Sequence, residues 1–429
     1  MLKADEKLTQ NSYYAASVQR TESHPPLRGD LQVDVCVIGG GLAGISAALE
    51  LQQRGFNVAL LEARQIGFGA SGRNGGQVIM GLACDIEVIE AQLGYEAAKQ
   101  VFAMTAEAIA LIHERCATHA IDCEWQAGYL NAAIGPKKAK TLEQWVEQMR
   151  IRYGYEQQFI AKPEVSSWIQ SNRFTALAYD PLSGHLHPLK YTLGLARAAQ
   201  SLGVQIFEET AAQRITQGEN ALIYTDHGAV QCKQVVLAGN VYGTTLAPGL
   251  DARIMPVGTY IIGSAPMSKA RANALIPSRS AICDTNFVLD YFRLSADDRM
   301  IFGGRVSYST VTPMNLAPTM KARMLKVFPQ LSDLQVQYAW GGFVDITMNR
   351  APDFGRLANN VYYLQGFSGH GLALTGLAGK LVAQAIAGDA ERFDVFTRLK
   401  HHNFPGGKLL RLPALVAAMA WYRLRDLLA

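Results

Sequence analysis

The chain has 429 residues, a formal net charge of +4, 49% apolar residues, 18% charged residues and six cysteines. That length fits two domains better than one, and the apolar content is enough to bury large cores, which excludes global disorder. No block of five like charges occurs, which excludes a nucleic-acid footprint built on basic runs.

Residues 1–29 are polar, carry Pro25 and Pro26 and lack an apolar h-region, so they read as an N-terminal arm and not as a secretory signal. No run of eighteen apolar residues occurs, so no membrane-spanning helix is expected and the expected location is cytoplasmic. Cys36, Cys84, Cys116, Cys123, Cys232 and Cys283 form no C-x-x-C pair. They read as small core hydrophobes in a reducing compartment, and no metal site is expected.

Residues 31–63, LQVDVCVIGGGLAGISAALELQQRGFNVALLEA, hold the strongest signal. Val33, Val35, Val37 and Ile38 point to a buried parallel strand. Gly39, Gly41 and Gly44 follow as G-x-G-x-x-G, opening a helix that has Ile45, Leu49 and Leu51 on its apolar face and stops at Gly55. A second strand over 57–61 ends in Glu62. Gly39 permits a tight turn, Gly41 lets backbone approach a pyrophosphate, and Gly44 lets the helix lie close to the sheet. The helix N-terminus offers N–H groups to phosphate oxygens. Glu62 can accept from both ribose hydroxyls and would repel a 2′-phosphate. The unit reads as a Rossmann-type dinucleotide site.

The next stretch, ARQIGFGASGRNGGQ over 63–77, is too rich in small residues for ordinary structure. It is either a flexible surface loop or a loop that lies flat against a large planar cofactor, which points to FAD over NAD. Ala70, Ser71, Gly72, Gly75 and Gly76 would give close approach; Arg73, Asn74 and Gln77 would address the flavin ring or the pyrophosphate. Helical patterns follow over 96–115 and 138–152. His185 and His187, like His401 and His402, read as loop histidines. Residues 201–215 read as a helix end and then a strand. Gln234–Gly243, QVVLAGNVYG, reads as a buried strand ending in a small-residue turn with Ala238 and Gly239.

Gly366, Ser368, Gly369, His370 and Gly371 make a turn before a long helix that begins near Leu372. This is either a core helix after a glycine-rich loop, or a positive dipole aimed at the N1–C2=O edge of a flavin, where negative charge develops as N5 receives hydride. His370 is not assigned as a base. The tail, LLRLPALVAAMAWYRLRDLLA, reads as an apolar helix with Arg411, Arg423 and Arg425, packed on the body or a partner, or lying on a membrane surface.

Four segments together resemble the superfamily of FAD-dependent amine and amino-acid oxidases, which includes D-amino-acid, glycine and sarcosine oxidases. They are the fingerprint with Glu62, ASGRNGGQ at 70–77, residues 234–243, and residues 362–386. Within that group, SYYAAS at 12–17, ASGRNGGQ, LDYFRLSADDRMIFGGR at 289–305 and WGGFVDITMNRAPDFGR at 340–356 look like the γ-glutamylputrescine oxidases.

The resemblance implies an α/β fold. Residues 30–85, 158–248 and 350–395 would form a Rossmann-type FAD-binding domain; 86–157 and 249–349 would form a discontinuous α+β substrate domain; 396–429 would be a helical tail. It implies that Ala212 touches adenine through its backbone and that Tyr291 reaches the substrate. FAD would be non-covalent, because the Cys that carries the flavin in sarcosine oxidases falls in the stretch AWGGFVD, 339–345, which has none. Trp340 and Phe343 either flank an aliphatic amine or are ordinary core. Asp345 and Arg350 either meet an ammonium and a glutamyl carboxylate or belong to a structural network. Ala373 stands where sarcosine oxidase-like sequences carry a carboxylate-binding Lys, which favours an amine over an amino acid. The expected activity is oxidation of a primary amine, most closely γ-glutamylputrescine, to an aldehyde, ammonia and, with oxygen as acceptor, hydrogen peroxide. An amino-acid oxidase or a quinone-linked dehydrogenase of the same fold is the alternative, and FAD binding without turnover is a third reading.

Overall fold

The computed structural model describes residues 10–243, 246–304, 315–358 and 360–405, with Leu8, Pro413, Val416 and Ala417. The expected tail helix over 409–429 lies almost wholly outside the described residues. Within them, no single helix is long and apolar enough to cross a membrane.

The first sheet has eight strands. Six run in the order Asp353–Ala358, Val361–Gln365, Ala229–Leu237, Leu31–Ile38, Val58–Leu61 and Gln205–Phe207. All of these pairs are parallel except the hairpin at the Asp353 edge. Alternation along Leu31–Ile38 explains why its inner half, residues 35–38, is apolar at every position. Val35 and Val37 face one core, which holds the helices Leu42–Gln53 and Gly371–Ile386, while Cys36 and Ile38 face another. These two helices touch at backbone distance: a Cβ added to Gly379 would lie 2.5 Å from Ala47 N. The expected helical patterns appear as Tyr95–Thr118 and Pro136–Tyr153. Buried Arg115 ties the former to the fingerprint helix, pairing with Glu50 at 2.9 Å and donating to Ser46 Oγ.

The second sheet has nine strands, in the order Val336–Thr347, Ile254–Ser264, Met300–Gly304, Asp290–Leu294, Ala281–Asp284, Gln126–Ala133, Ala176–His185 and Gln77–Val78, with Gln158–Ala161 beside Ala176–His185. Phe292 stacks on Phe302 and meets Phe328 edge-on in the core beneath it. Residues 77–78, 158–161 and 176–185 thus pair in this sheet, although the segments holding them were expected on the cofactor side. Gln126–Ala133 supplies the antiparallel edge that takes up Ala176–His185, and Gln158–Ala161 then adds to that strand.

His185 is not a loop histidine, while His187 lies in the short connection after it. His185 ends a strand, and its Nε2 lies 3.0 Å from Arg279 O. His187 caps the helix Pro188–Ser201 by accepting from Lys190 N. Burial and the nearby Arg293 guanidinium push both down to about 3, so they stay neutral. His401 is also enclosed, with Nε2 3.9 Å from Asp353 Oδ1. All six cysteines are free thiols; Cys36, Cys123, Cys232 and Cys283 are buried and Cys84 and Cys116 partly so.

Candidate active site

One long cleft runs from the C-terminal ends of the first sheet's strands to the face of the second sheet. Its near end is the dinucleotide turn. Gly39 has φ +116, and a Cβ there would lie 2.6 Å from Ala238 O. A Cβ on Gly44 would lie 1.9 Å from Gly39 O, so the helix sits directly on its own turn. Gly41 caps that helix and lines the cleft. Ser71 Oγ accepts from Leu42 N at 2.9 Å, bringing the small-residue loop over the helix N-terminus. Glu62 lines the cleft beside Thr210 and Ala212. Gly40 N–H donates to its Oε2 at 2.6 Å and Arg64 N–H to its Oε1 at 2.8 Å. Burial raises this carboxyl, and the two N–H bonds oppose the rise. Each oxygen keeps a lone pair for a ribose hydroxyl.

The loop over 63–77 is built, not floppy. Ala70, Ser71, Arg73, Asn74, Gly75 and Gln77 line the cleft. Asn74 stitches the loop: its Nδ2 donates to Ala70 O and Ser71 O, and its Oδ1 accepts from Gly76 N. The Arg73 guanidinium lies 4.3 Å from the centre of the Phe68 ring. Gly72 and Gly76 stand behind the wall and do not reach the cleft. A Cβ on Gly72 would lie 2.3 Å from Gly67 O; one on Gly76 would lie 2.4 Å from Leu186 O and 2.8 Å from Arg293 Nε. These glycines admit neighbouring protein atoms, so close packing demands them where cofactor contact was expected.

Ala238, Gly239, Ser368, Gly369, His370, Gly371 and Leu372 line the middle. The sixteen-residue helix Gly371–Ile386 starts there, with His370 at its N-cap. His370 Nδ1 faces Gly81 O at 3.4 Å; burial, with Arg350 nearby, lowers the imidazole to about 4, so it is neutral. Gly366 lies behind the turn, where a Cβ would meet Thr347 Cγ2 at 2.7 Å. Asp345 holds the turn: Gly366 N–H donates to its carboxylate and Ser368 N–H to its carbonyl.

At the far end Tyr291 lines the cleft, its ring lying against Gly75 and Gly303, where a Cβ would strike it. Gly342 and Val344 present one face of the strand Val336–Thr347. Phe343 points to the opposite face and is core, fully buried in the cluster with Phe292 and Phe302. Trp340 is also core, buried under the arm, and its Nε1–H donates to Arg73 O at 3.0 Å. Neither aromatic flanks the cleft. Ala373 is buried in the helical core and is not on the cleft wall. Arg350, at φ +60, reaches the cleft with the Phe287 ring 5.8 Å away. Tyr129, Cys283, Ile79 and Leu289 complete the wall unforeseen. They meet through strand register, Cys283 opposite Tyr291 and Ala281 opposite Tyr129, which local patterns do not encode.

The cleft fits FAD. It joins a helix N-terminus, a ribose-type carboxylate, a small-residue loop and a second helix N-terminus. Gln77 Nε2 and Arg350 Nε are buried there with no hydrogen-bond partner among the described residues. A group with acceptor oxygens would satisfy them. Within the same residues, no cluster of three His, Cys, Asp or Glu is placed to hold a metal ion.

Comparisons agree with this geometry. Residues 34–385 match the model of the DAO family, described as FAD dependent oxidoreductase. The chain is 41% identical over 418 residues to γ-glutamylputrescine oxidoreductase of Escherichia coli (strain K12), covering 97% of this chain and 98% of that one. It is 38% identical to the probable oxidoreductase OrdL of Haemophilus influenzae, covering 97% of each chain. Among solved structures, L-proline dehydrogenase from P. horikoshii superposes with TM-score 0.70 at 20% identity, over 84% of this chain and 94% of that one. Glycine oxidase from Geobacillus kaustophilus does so with TM-score 0.70 at 20% identity, over 83% and 95%. These last two show the fold alone.

Proposed function

The chain belongs to the DAO family of FAD-dependent oxidoreductases, and from that premise we propose that it oxidises a primary amine on a chain whose other end is acylated, with γ-glutamylputrescine as the preferred substrate. The observation that carries this reading is the 41% identity to a γ-glutamylputrescine oxidoreductase across 97% of the chain, substrate sheet included. The cleft supports it. Ile79, Leu289 and Tyr291 offer an apolar wall to a methylene chain, and Gly342 and Val344 line the cleft from the strand Val336–Thr347. Arg350, which has no carboxylate in ion-pair contact among the described residues, offers a cation to an acidic end group.

When bound, FAD supplies the acceptor for the hydride on the carbon next to the amine. The protein supplies placement. Glu62 and the helix N-terminus at Gly41 would hold the ribose and pyrophosphate. The N-terminus at Gly371 would place a positive dipole on the edge of the ring that gains negative charge. Neutral His370 adds no competing charge there. The two-electron oxidation of the amine gives an imine, which water converts to aldehyde and ammonia; oxygen as final acceptor gives hydrogen peroxide.

The test is a panel of γ-glutamylputrescine, putrescine, sarcosine and D-alanine, scored by anaerobic bleaching of the flavin and by aerobic peroxide release. γ-Glutamylputrescine should give the highest kcat/KM. Putrescine should be poorer, because its second ammonium would be buried beside Arg350. A win for sarcosine or D-alanine sinks the amine reading in favour of an amino-acid oxidase. Bleaching without peroxide points to a different acceptor.

A further inference from the structure

The SYYAAS segment takes no part in the cleft, yet it rests on the supports of the cofactor loop. Tyr14, in the short helix Tyr13–Ala16, is fully buried. Its hydroxyl accepts from Arg293 at 3.1 Å, and Arg293 Nε–H donates to Gly75 O at 2.7 Å. Its ring stands edge-on to Trp340 at 5.2 Å, and Trp340 donates to Arg73 O. The carbonyls on either side of Asn74 are therefore held from behind by two donors, and Tyr14 touches both. Arg20, six residues along the arm, donates to Ile66 O in the same loop at 3.0 Å. Among the described residues the remaining hydrogen-bond contacts of Arg293 are Leu294 O and His185 Nδ1, so within them its charge is held by neutral groups. Arg73, Asn74 and Gly75 line the cleft.

We propose that Tyr14 is a positioning residue of the flavin site, which acts through Arg293 and Trp340 to fix the Gly75 and Arg73 carbonyls and hence the surface that residues 73–75 turn toward FAD. Loss of the hydroxyl leaves a buried guanidinium N–H without an acceptor, and the fork can re-aim away from Gly75. Tyr13 is the internal control. It sits in the same helix, but its hydroxyl donates to Asp297 at 2.6 Å and so ties the arm to a different place.

The experiment compares the holoenzymes of Tyr14→Phe, Tyr13→Phe, Arg293→Lys and the double variant Tyr14→Phe/Arg293→Lys. The readouts are FAD release on dilution, followed by the rise of free-flavin fluorescence, and the absorption spectrum and reduction potential of the bound flavin. Tyr14→Phe should release FAD about tenfold faster with a shifted spectrum and potential. Tyr13→Phe should keep the wild-type release rate and potential even if its melting temperature falls. The double variant should release no faster than Arg293→Lys alone, because the two residues act in series. The proposal is overturned if Tyr14→Phe keeps the wild-type release rate and potential, if Tyr13→Phe matches it, or if the double variant is additive. Both single Tyr→Phe changes keep the ring, so that comparison decides even if Arg293→Lys fails to fold.

Discussion

Asp345 lines the cleft and also ties the parts of the site together. Gly366 and Phe367 N–H groups and the Asn240 side chain converge on it, joining the second sheet to the turn before the helix Gly371–Ile386. Of the two readings open from the sequence, the structural network is the one these contacts support. Burial raises the group from 3.8 to about 6, although the hydrogen bonds pull the other way. Because the folded pKa lies above the unfolded one, the folded state holds this proton more tightly. The stabilisation is present below the unfolded value and is lost as pH rises through about 6. Asp345→Asn keeps an acceptor for Gly366 and removes the charge. Its stability relative to wild type should therefore improve by on the order of 3 kcal/mol between acid and neutral pH. Urea midpoints of both proteins at several pH values check this; a difference that does not vary with pH means folding leaves the carboxyl's affinity for its proton unchanged.

At the scale of elements, the fingerprint turn and its helix are one rigid part. Gly44→Ala forces a methyl against Gly39 O and must displace the turn. Overpacking of this kind costs about 1–3 kcal/mol, which is roughly 10- to 100-fold in FAD affinity if the strain falls on the binding turn. Gly55→Ala, at φ +86 with nothing within 4 Å of the added Cβ, should lower stability slightly and leave FAD affinity unchanged. Titration of apoprotein with FAD compares the two. This turn was legible because its logic is local: strand, glycines, helix and Glu62 follow one another within 32 residues of Leu31. Trp340 and Phe343 were ambiguous because the sequence does not say which face of Val336–Thr347 looks into the cleft, or that the arm covers Trp340. Tyr129 and Cys283 stayed invisible because long-range strand pairing brings them to the site.

For the molecule as a whole, the cleft lies between two sheets and draws its walls from both. A ligand that spans it ties the stability of one sheet to that of the other. FAD at about a hundred times its dissociation constant should add about 2.7 kcal/mol. Flavin release and loss of helical circular dichroism should then coincide in a single melting transition; an earlier, separate flavin release means the sheets unfold independently of the site. The arm adds a constraint of another kind. Tyr14 and Arg293 are 279 residues apart in the chain. A ribosome adding about 5–20 residues per second needs roughly 15–60 s to make that stretch. During that time the fingerprint has already emerged, but the loop beside it lacks its outer support. Tyr14 is made before the loop it supports and waits for Arg293, so the outer support of that loop closes only after most of the cleft's first wall has been made.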